Sequence, residues 1–234
     1  MSQSIIQTKP QIRLQDVTRQ LCQAARAHGR DPQDIKLVAV SKTKPVEAIL
    51  ALASLGQARF AENYVDEARR KIPLCDPNNR LEWHFIGTLQ SNKTAYVART
   101  FAWVHSLDRL KIARRLSAQR PQCLPDLNLC LQVNISGEAS KSGVAPEQAF
   151  AMADTIVSLP KVRLRGLMAV PAPAEGFQRQ LEALRPLRTL YDAFLQRGYA
   201  FDTLSMGMSA DLDAAIAMGS TLVRIGTALF GSRN

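Results

Sequence analysis

The 234-residue chain reads as an α/β protein, a single (β/α)8 barrel of the TIM type with an extra N-terminal helix. Three observations carry that reading. Eight short apolar runs alternate with stretches of helical periodicity, and such barrels typically take ~250 residues. No linker, low-complexity tract or repeat interrupts the chain, so one domain over residues 1–234 is expected. The turn after the first strand carries Ser41-Lys42-Thr43-Lys44-Pro45, where an open doubly wound sheet would place a glycine-rich turn.

Taken in order, Ile12 to Ala27 is an amphipathic helix with Ile12, Val17, Leu21 and Ala24 or Ala25 on its apolar stripe, and Gly29 ends it. Leu37-Val38-Ala39-Val40 is a strand buried on both faces, as parallel sheets require. Pro45 suits a first helical turn, Val46, Ile49, Leu50 and Ala53 follow at helical spacing, and Gly56 stops the helix. Residues 58–63 are a second strand and 64–72 a helix; residues 73–80 then form a polar loop with Asp76-Pro77-Asn78-Asn79 turn chemistry. Strands follow over 82–87, 103–106, 127–135, 164–170, 203–206 and 222–226. Helices between them cover 91–99, 108–119, 146–158, 177–196 and 211–218, the fourth of these accommodating Pro186.

Composition narrows the function. A hydrophobic content of 46% with 6% aromatics is that of an ordinary globular protein, and no apolar run approaches the ~18 residues of a membrane span. Met1 to Arg13 has no charged segment followed by an apolar one, so no secretory signal is expected. Cys22, Cys75, Cys123 and Cys130 lack CxxC spacing and the three histidines are scattered; reduced thiols in a cytoplasmic, monomeric protein without metal are expected. The formal charge of +10 is dispersed in pairs such as Arg69-Arg70 and Arg114-Arg115, without interleaved aromatics. A small phosphorylated anion is a better partner for it than nucleic acid.

In a barrel the strand C-termini converge on one face, which collects Lys42, Asn63, His84, Asn134, Met168, Ser205 and Arg224. Lys42 ends a buried strand, where an amine either escapes to solvent or serves as a nucleophile able to form a Schiff base. Lys44, two residues on along an extended chain, points the same way. In Leu222-Val223-Arg224-Ile225-Gly226, Val223 and Ile225 share one face; if that face is turned to the helices, Arg224 points into the barrel toward an internal carboxylate, a ligand ring nitrogen or a phosphate. Gly226-Thr227 after the eighth strand and Ser205 to Ser209 after the seventh hold the usual barrel phosphate position; Ser209 is equally suited to cap a helix. An imine-forming lysine, an internal arginine and a two-loop phosphate cup fit pyridoxal 5′-phosphate.

These residues carry a resemblance. Ala39 to Pro45, Glu62-Asn63-Tyr64-Val65, His84-Phe85-Ile86-Gly87 with Leu89 to Lys93, Arg165-Gly166-Leu167-Met168, and Val223 to Ala228 resemble the pyridoxal phosphate homeostasis protein family, also called the proline-synthase co-transcribed family. The likeness runs in order from about residue 12 to the end, and that family resembles the N-terminal barrel of alanine racemase. The resemblance implies that Lys42 carries the Schiff base and that Arg224 faces the pyridine nitrogen. It further implies Ser209, Gly226 and Thr227 on the phosphate, with Asn63 and Met168 lining the pocket. It implies a protein that binds, buffers and delivers the cofactor, with cofactor-dependent apo-enzymes as acceptors and no secure catalysis. An amino-acid racemase of low activity is the alternative; its second acid/base group would have to come from Tyr64 or His84, since the racemase's second domain is not expected here. The loop Ser140-Lys141-Ser142-Gly143 is a further candidate for cofactor contact during hand-over.

Overall fold

The computed structural model describes residues 8–138 and 141–231. Eight parallel strands run among them: β1 (Lys36–Val40), β2 (Arg59–Glu62), β3 (Glu82–Phe85), β4 (Trp103–Leu107), β5 (Leu127–Gln132), β6 (Val162–Met168), β7 (Thr203–Ser205) and β8 (Leu222–Ile225). They close in chain order, with β8 returning to β1 in a register from Lys36 opposite Leu222 to Ala39 opposite Ile225. The helices are α1 (Lys9–Ala27), α2 (Val46–Ser54), α3 (Val65–Cys75), α4 (Thr94–Thr100), α5 (Leu110–Gln119), α6 (Ala149–Val157), α7 (Phe177–Gln196), α8 (Leu212–Ala217) and α9 (Thr227–Phe230). The expected (β/α)8 barrel is the observed fold, and the extra helix, α1, packs on α2, α8 and α9.

Strand alternation divides the apolar residues between two places. Ala39, Phe60, Phe85, Val104, Leu129, Leu167, Leu204, Val223 and Ile225 point outward into the continuous core beneath the helices. Val38, Val40, Ala61 and Leu222 fill one part of the barrel interior, and Trp103, Cys130 and Met168 another. The interior is therefore only partly apolar. His84, His105, Ser205 and Arg224 occupy inward positions and are buried.

Three local expectations are corrected. Helix α3 runs through Pro73 to Cys75 instead of yielding to a loop. Pro73 removes a single N–H near the helix end, and the Asp76 N–H still reaches Ile72 O at 2.8 Å. Asp76 is then buried as the hub of the next turn, accepting from Arg80 N, Leu81 N and Trp83 Nε1. Pro45 is the residue before α2, extended at φ −70° and ψ 161°, and Val46 opens the helix. Strand β5 stops at Gln132, because beyond it Asn134 N turns to Val144 O.

Candidate functional site

At the C-terminal mouth of the barrel lies a cavity of about 480 Å³. Lys42, Asn63, Met168, Ser209, Arg224, Gly226 and Thr227 all line it, although they come from five different strand ends and loops. Val40, Ile86, Val170, Met208 and Ala210 supply apolar wall that the sequence did not single out. The cavity thus pairs a primary amine and a guanidinium with two hydroxyls and apolar sides, the donor set that an aldehyde-bearing aromatic phosphate calls for. Gly226 adds room: at φ −113° any residue could stand there, and a Cβ would meet Val40 at an ordinary 3.5 Å. Neither backbone nor packing demands that glycine. Gly87 is different, because a Cβ there would sit 1.9 Å from Asn63 O and 2.8 Å from Asn63 Oδ1. The loop after β3 must lack a side chain for Asn63 to occupy its place on the wall.

Arg224 is 4% exposed and its partners are not carboxylates. Its guanidinium donates to Ser205 Oγ at 2.5 Å and Ala169 O at 3.0 Å. Burial lowers its pKa to about 10, which leaves it cationic at neutral pH. Behind it runs a single file of hydrogen bonds: Ser205 Oγ to His105 Nδ1 at 2.8 Å, His105 Nε2 to His84 Nδ1 at 2.9 Å, and His84 Nε2 to Glu82 Oε1 at 2.9 Å. Glu82 also meets Arg59 at 3.2 Å. Burial pushes both histidines toward the neutral form, His105 well below the usual value. The hydrogen bond from His84 holds the Glu82 carboxyl below its ordinary range.

Those directions assign every proton in the file. Ionised Glu82 only accepts, so His84 carries its proton on Nε2 and accepts at Nδ1. His105 then donates from Nε2 and accepts at Nδ1 from the Ser205 hydroxyl. Ser205 is left to accept from Arg224. The guanidinium, which lines the cavity and can only donate, uses two of its five N–H groups in those bonds.

Several strand-end candidates lie elsewhere. Lys44 does not run parallel to Lys42, because the chain is not extended there: Thr43 has φ +62°, and the Lys44 amine donates to Gly231 O at 3.0 Å. His84 is fully buried in the barrel interior and Tyr64 is 56% exposed; neither lines the cavity. Asn134 donates to Glu138 O at 2.8 Å. Lys141 pairs with Glu138 at 2.9 Å, and Ser140 lies outside the described residues. Asp211, not Ser209, precedes α8, and its carboxylate accepts from Met208 N at 2.6 Å, which leaves Ser209 to the cavity. Sequence reasoning missed His105 and the Ser205–Arg224 contact, although two histidines in buried strands were a legible signal. Among the described residues no group of three or more His, Cys, Asp or Glu could hold a metal ion.

A family model described as the alanine racemase N-terminal domain matches residues 12–234. The chain is 55% identical over 219 residues to the pyridoxal phosphate homeostasis protein of Pseudomonas aeruginosa, covering 93% of each chain. It is 49% identical over 223 residues to the protein of that name from Escherichia coli, covering 94% of this chain and 95% of that one. Among solved structures, PipY of Synechococcus elongatus with pyridoxal phosphate bound aligns with a TM-score of 0.79 at 33% identity, over 90% of this chain and 100% of that one. An alanine racemase from Clostridium difficile aligns with a TM-score of 0.70 at 14% identity, over 93% of this chain and 57% of its own, a likeness of fold alone.

Proposed function

Because the chain belongs to the pyridoxal phosphate homeostasis protein family, within the wider family of the alanine racemase N-terminal domain, we propose that it binds pyridoxal 5′-phosphate at the C-terminal mouth and keeps it available. In this reading the chain is one barrel over residues 1–234 that works as a cytoplasmic monomer and hands the cofactor to apo-enzymes. The single observation that carries the reading is that Lys42 and Arg224 face one cavity together with Ser209 and Thr227. Bound there, the cofactor supplies an aldehyde able to condense with an amine and a ring able to withdraw electrons.

Each residue has a part. Lys42 would supply the amine that holds the cofactor through its aldehyde. Arg224, a donor on the cavity wall, would face the pyridine nitrogen and favour it without a proton, which would leave the ring a weaker electron sink. Ser209, Thr227 and the backbone at Gly226 would take the phosphate, all three lining the cavity. Asn63 and Met168 close the sides. Carrier behaviour follows from this set: it holds the cofactor firmly but does not ready the ring for carbanion chemistry. The unpaired state of the four cysteines fits a reducing compartment. Among the described residues no helix is long and apolar enough to cross a membrane.

The test is spectroscopic. Purified protein mixed with pyridoxal 5′-phosphate is expected to develop a visible band that borohydride removes, with the added mass on the peptide containing Lys42. Absence of both the band and the mass would defeat the reading.

A further inference from the structure

Lys42 leaves β1 in a turn that strand geometry does not itself hold. Thr43 sits at φ +62°, a left-handed conformation that is unfavourable for a β-branched residue and persists only when its surroundings enforce it. The enforcing group is Glu67 on α3, whose Oε1 accepts the Thr43 N–H at 2.6 Å. That oxygen also meets Lys71 Nζ at 2.9 Å. The Lys71 ammonium is the centre of the arrangement: it donates to Ser41 O at 2.8 Å and Lys44 O at 3.1 Å, the two carbonyls that flank the turn. It also reaches Glu62 Oε1 at 2.6 Å. Glu62 in turn accepts from Ser41 Oγ at 2.6 Å.

This cluster lies under α3, outside the barrel wall, with Glu62 fully buried and the Lys71 side chain 10% exposed. Glu62 Oε2 is buried without a hydrogen-bond partner among the described residues, and burial raises the Glu62 pKa. Buried ion pairs of this kind are weak sources of stability, since well-packed apolar side chains of similar volume often serve as well or better. Apolar side chains could not, however, accept the Thr43 N–H or bind two carbonyls at once. The feature these contacts share is the backbone on either side of Lys42.

We propose that Lys71, with Glu62 and Glu67, is the positioning device for Lys42, holding the Ser41–Lys44 turn so that the Lys42 amine is presented to the cavity for covalent attachment. The inference rests on the function proposed above. In the attachment the neutral amine nitrogen forms a double bond to the aldehyde carbon, and the carbonyl oxygen departs as water with the two hydrogens that the nitrogen gives up. Its rate therefore depends on the approach of that one nitrogen, whereas recognition of ring and phosphate belongs to Arg224, Ser209 and Thr227. A device that acts on the turn moves the first and spares the second.

Two probes separate them. Pyridoxamine 5′-phosphate keeps the ring and phosphate but has an amine where the aldehyde stood, so its affinity, measured by calorimetry, reports recognition alone. Pyridoxal 5′-phosphate with borohydride trapping and peptide mass analysis reports attachment at Lys42. Glu67→Ala and Lys71→Met are expected to slow trapping by about tenfold or more, the scale on which small misplacements of reacting groups act, with pyridoxamine 5′-phosphate affinity within about twofold of wild type. Glu67→Gln, which keeps an acceptor for Thr43, is expected to recover most of the rate lost in Glu67→Ala. Should Lys71→Met fail to fold with Glu62 left uncompensated, the Glu67 pair decides the matter. Trapping at the wild-type rate in Glu67→Ala, or equal losses with both probes, would overturn the positioning role. Wild-type protein that binds pyridoxamine 5′-phosphate yet traps nothing at Lys42 would instead overturn the function on which the inference rests.

Discussion

Lys42 belongs to neither apolar core; its side chain borders the C-terminal cavity. Lys42→Ala should therefore leave stability within about 0.5 kcal/mol of wild type, as substitutions outside packed regions do, while the borohydride-sensitive band disappears. Thermal melts and spectra of the same sample check both halves. A band that persisted would place the attachment on another amine. Arg224 carries the second prediction at this scale. In the proposed reading Arg224 stands opposite the pyridine nitrogen, where a donor would leave the ring poorly suited to hold a carbanion, so α-proton exchange of alanine in deuterium oxide should fall far below the ~1–10³ s⁻¹ of ordinary enzymes. Nuclear magnetic resonance of the amino acid with cofactor-loaded protein measures it. Exchange at enzyme-like turnover that is lost in Lys42→Ala would replace the carrier by a racemase-like catalyst.

Between residues and barrel stand the strand-to-helix connections, which decide how close two neighbouring strand ends can come. Gly87 after β3 lies against the backbone carbonyl of Asn63 after β2, and a Cβ at 1.9 Å cannot be absorbed by a side-chain rotation because the obstacle is main chain. Gly87→Ala is expected to cost about 1–3 kcal/mol, the usual range for overpacking, and to weaken cofactor binding by moving Asn63 off the cavity wall. Denaturant midpoints together with pyridoxamine 5′-phosphate affinity test this; unchanged values in both would show that the two loops are free to separate. The contrast with Gly226, where a Cβ would find ordinary contact, separates a glycine required by a neighbouring strand from one that only leaves space.

Across the whole molecule, the file from Glu82 through His84, His105 and Ser205 to Arg224 threads the barrel interior and makes folding sensitive to pH. Both histidines have folded pKa values depressed below the ordinary 6.5 by burial, so the unfolded chain takes up protons below about pH 6.5 that the folded barrel does not. Stability is then fully expressed above that pH and declines as pH falls, by at most about 1.4 kcal/mol per pH unit for each histidine. Glu62 acts in the opposite sense, since burial raises its pKa and the folded state holds its proton more readily. Glu82, with its pKa lowered, adds its own loss of stability only in the carboxylate range, at lower pH. Urea midpoints between pH 7.5 and 5.5 should fall in the wild type and fall less in a His84→Gln, His105→Gln double variant. The slope, not the absolute midpoint, is the measure, and equal slopes would show that the histidines are not the titrating groups.

The sequence by itself determined the barrel, because eight apolar runs, the first seven each followed by a helical period, leave a right-handed parallel closure as the economical way to bury both faces. It also determined Lys42, Arg224 and the Gly226-Thr227 turn as candidates, since each breaks an apolar pattern at a strand end where residue type and strand phase are local properties. Tertiary structure alone decided which of those residues meet. Lys44 was misplaced because strand alternation ends where Thr43 turns left-handed. His84 was placed at the mouth because its depth depends on the register of β3 against β4, with His84 opposite Trp103, which no local pattern encodes. The partner of Arg224 comes from β7 and the clamp on the Lys42 turn comes from α3, 19 and 30 residues away in sequence for Ser205 and for Lys71 against Ser41. Hydrogen-bond pairing of buried polar groups is set by closure of the chain on itself. Residue spacing records only the separations along it.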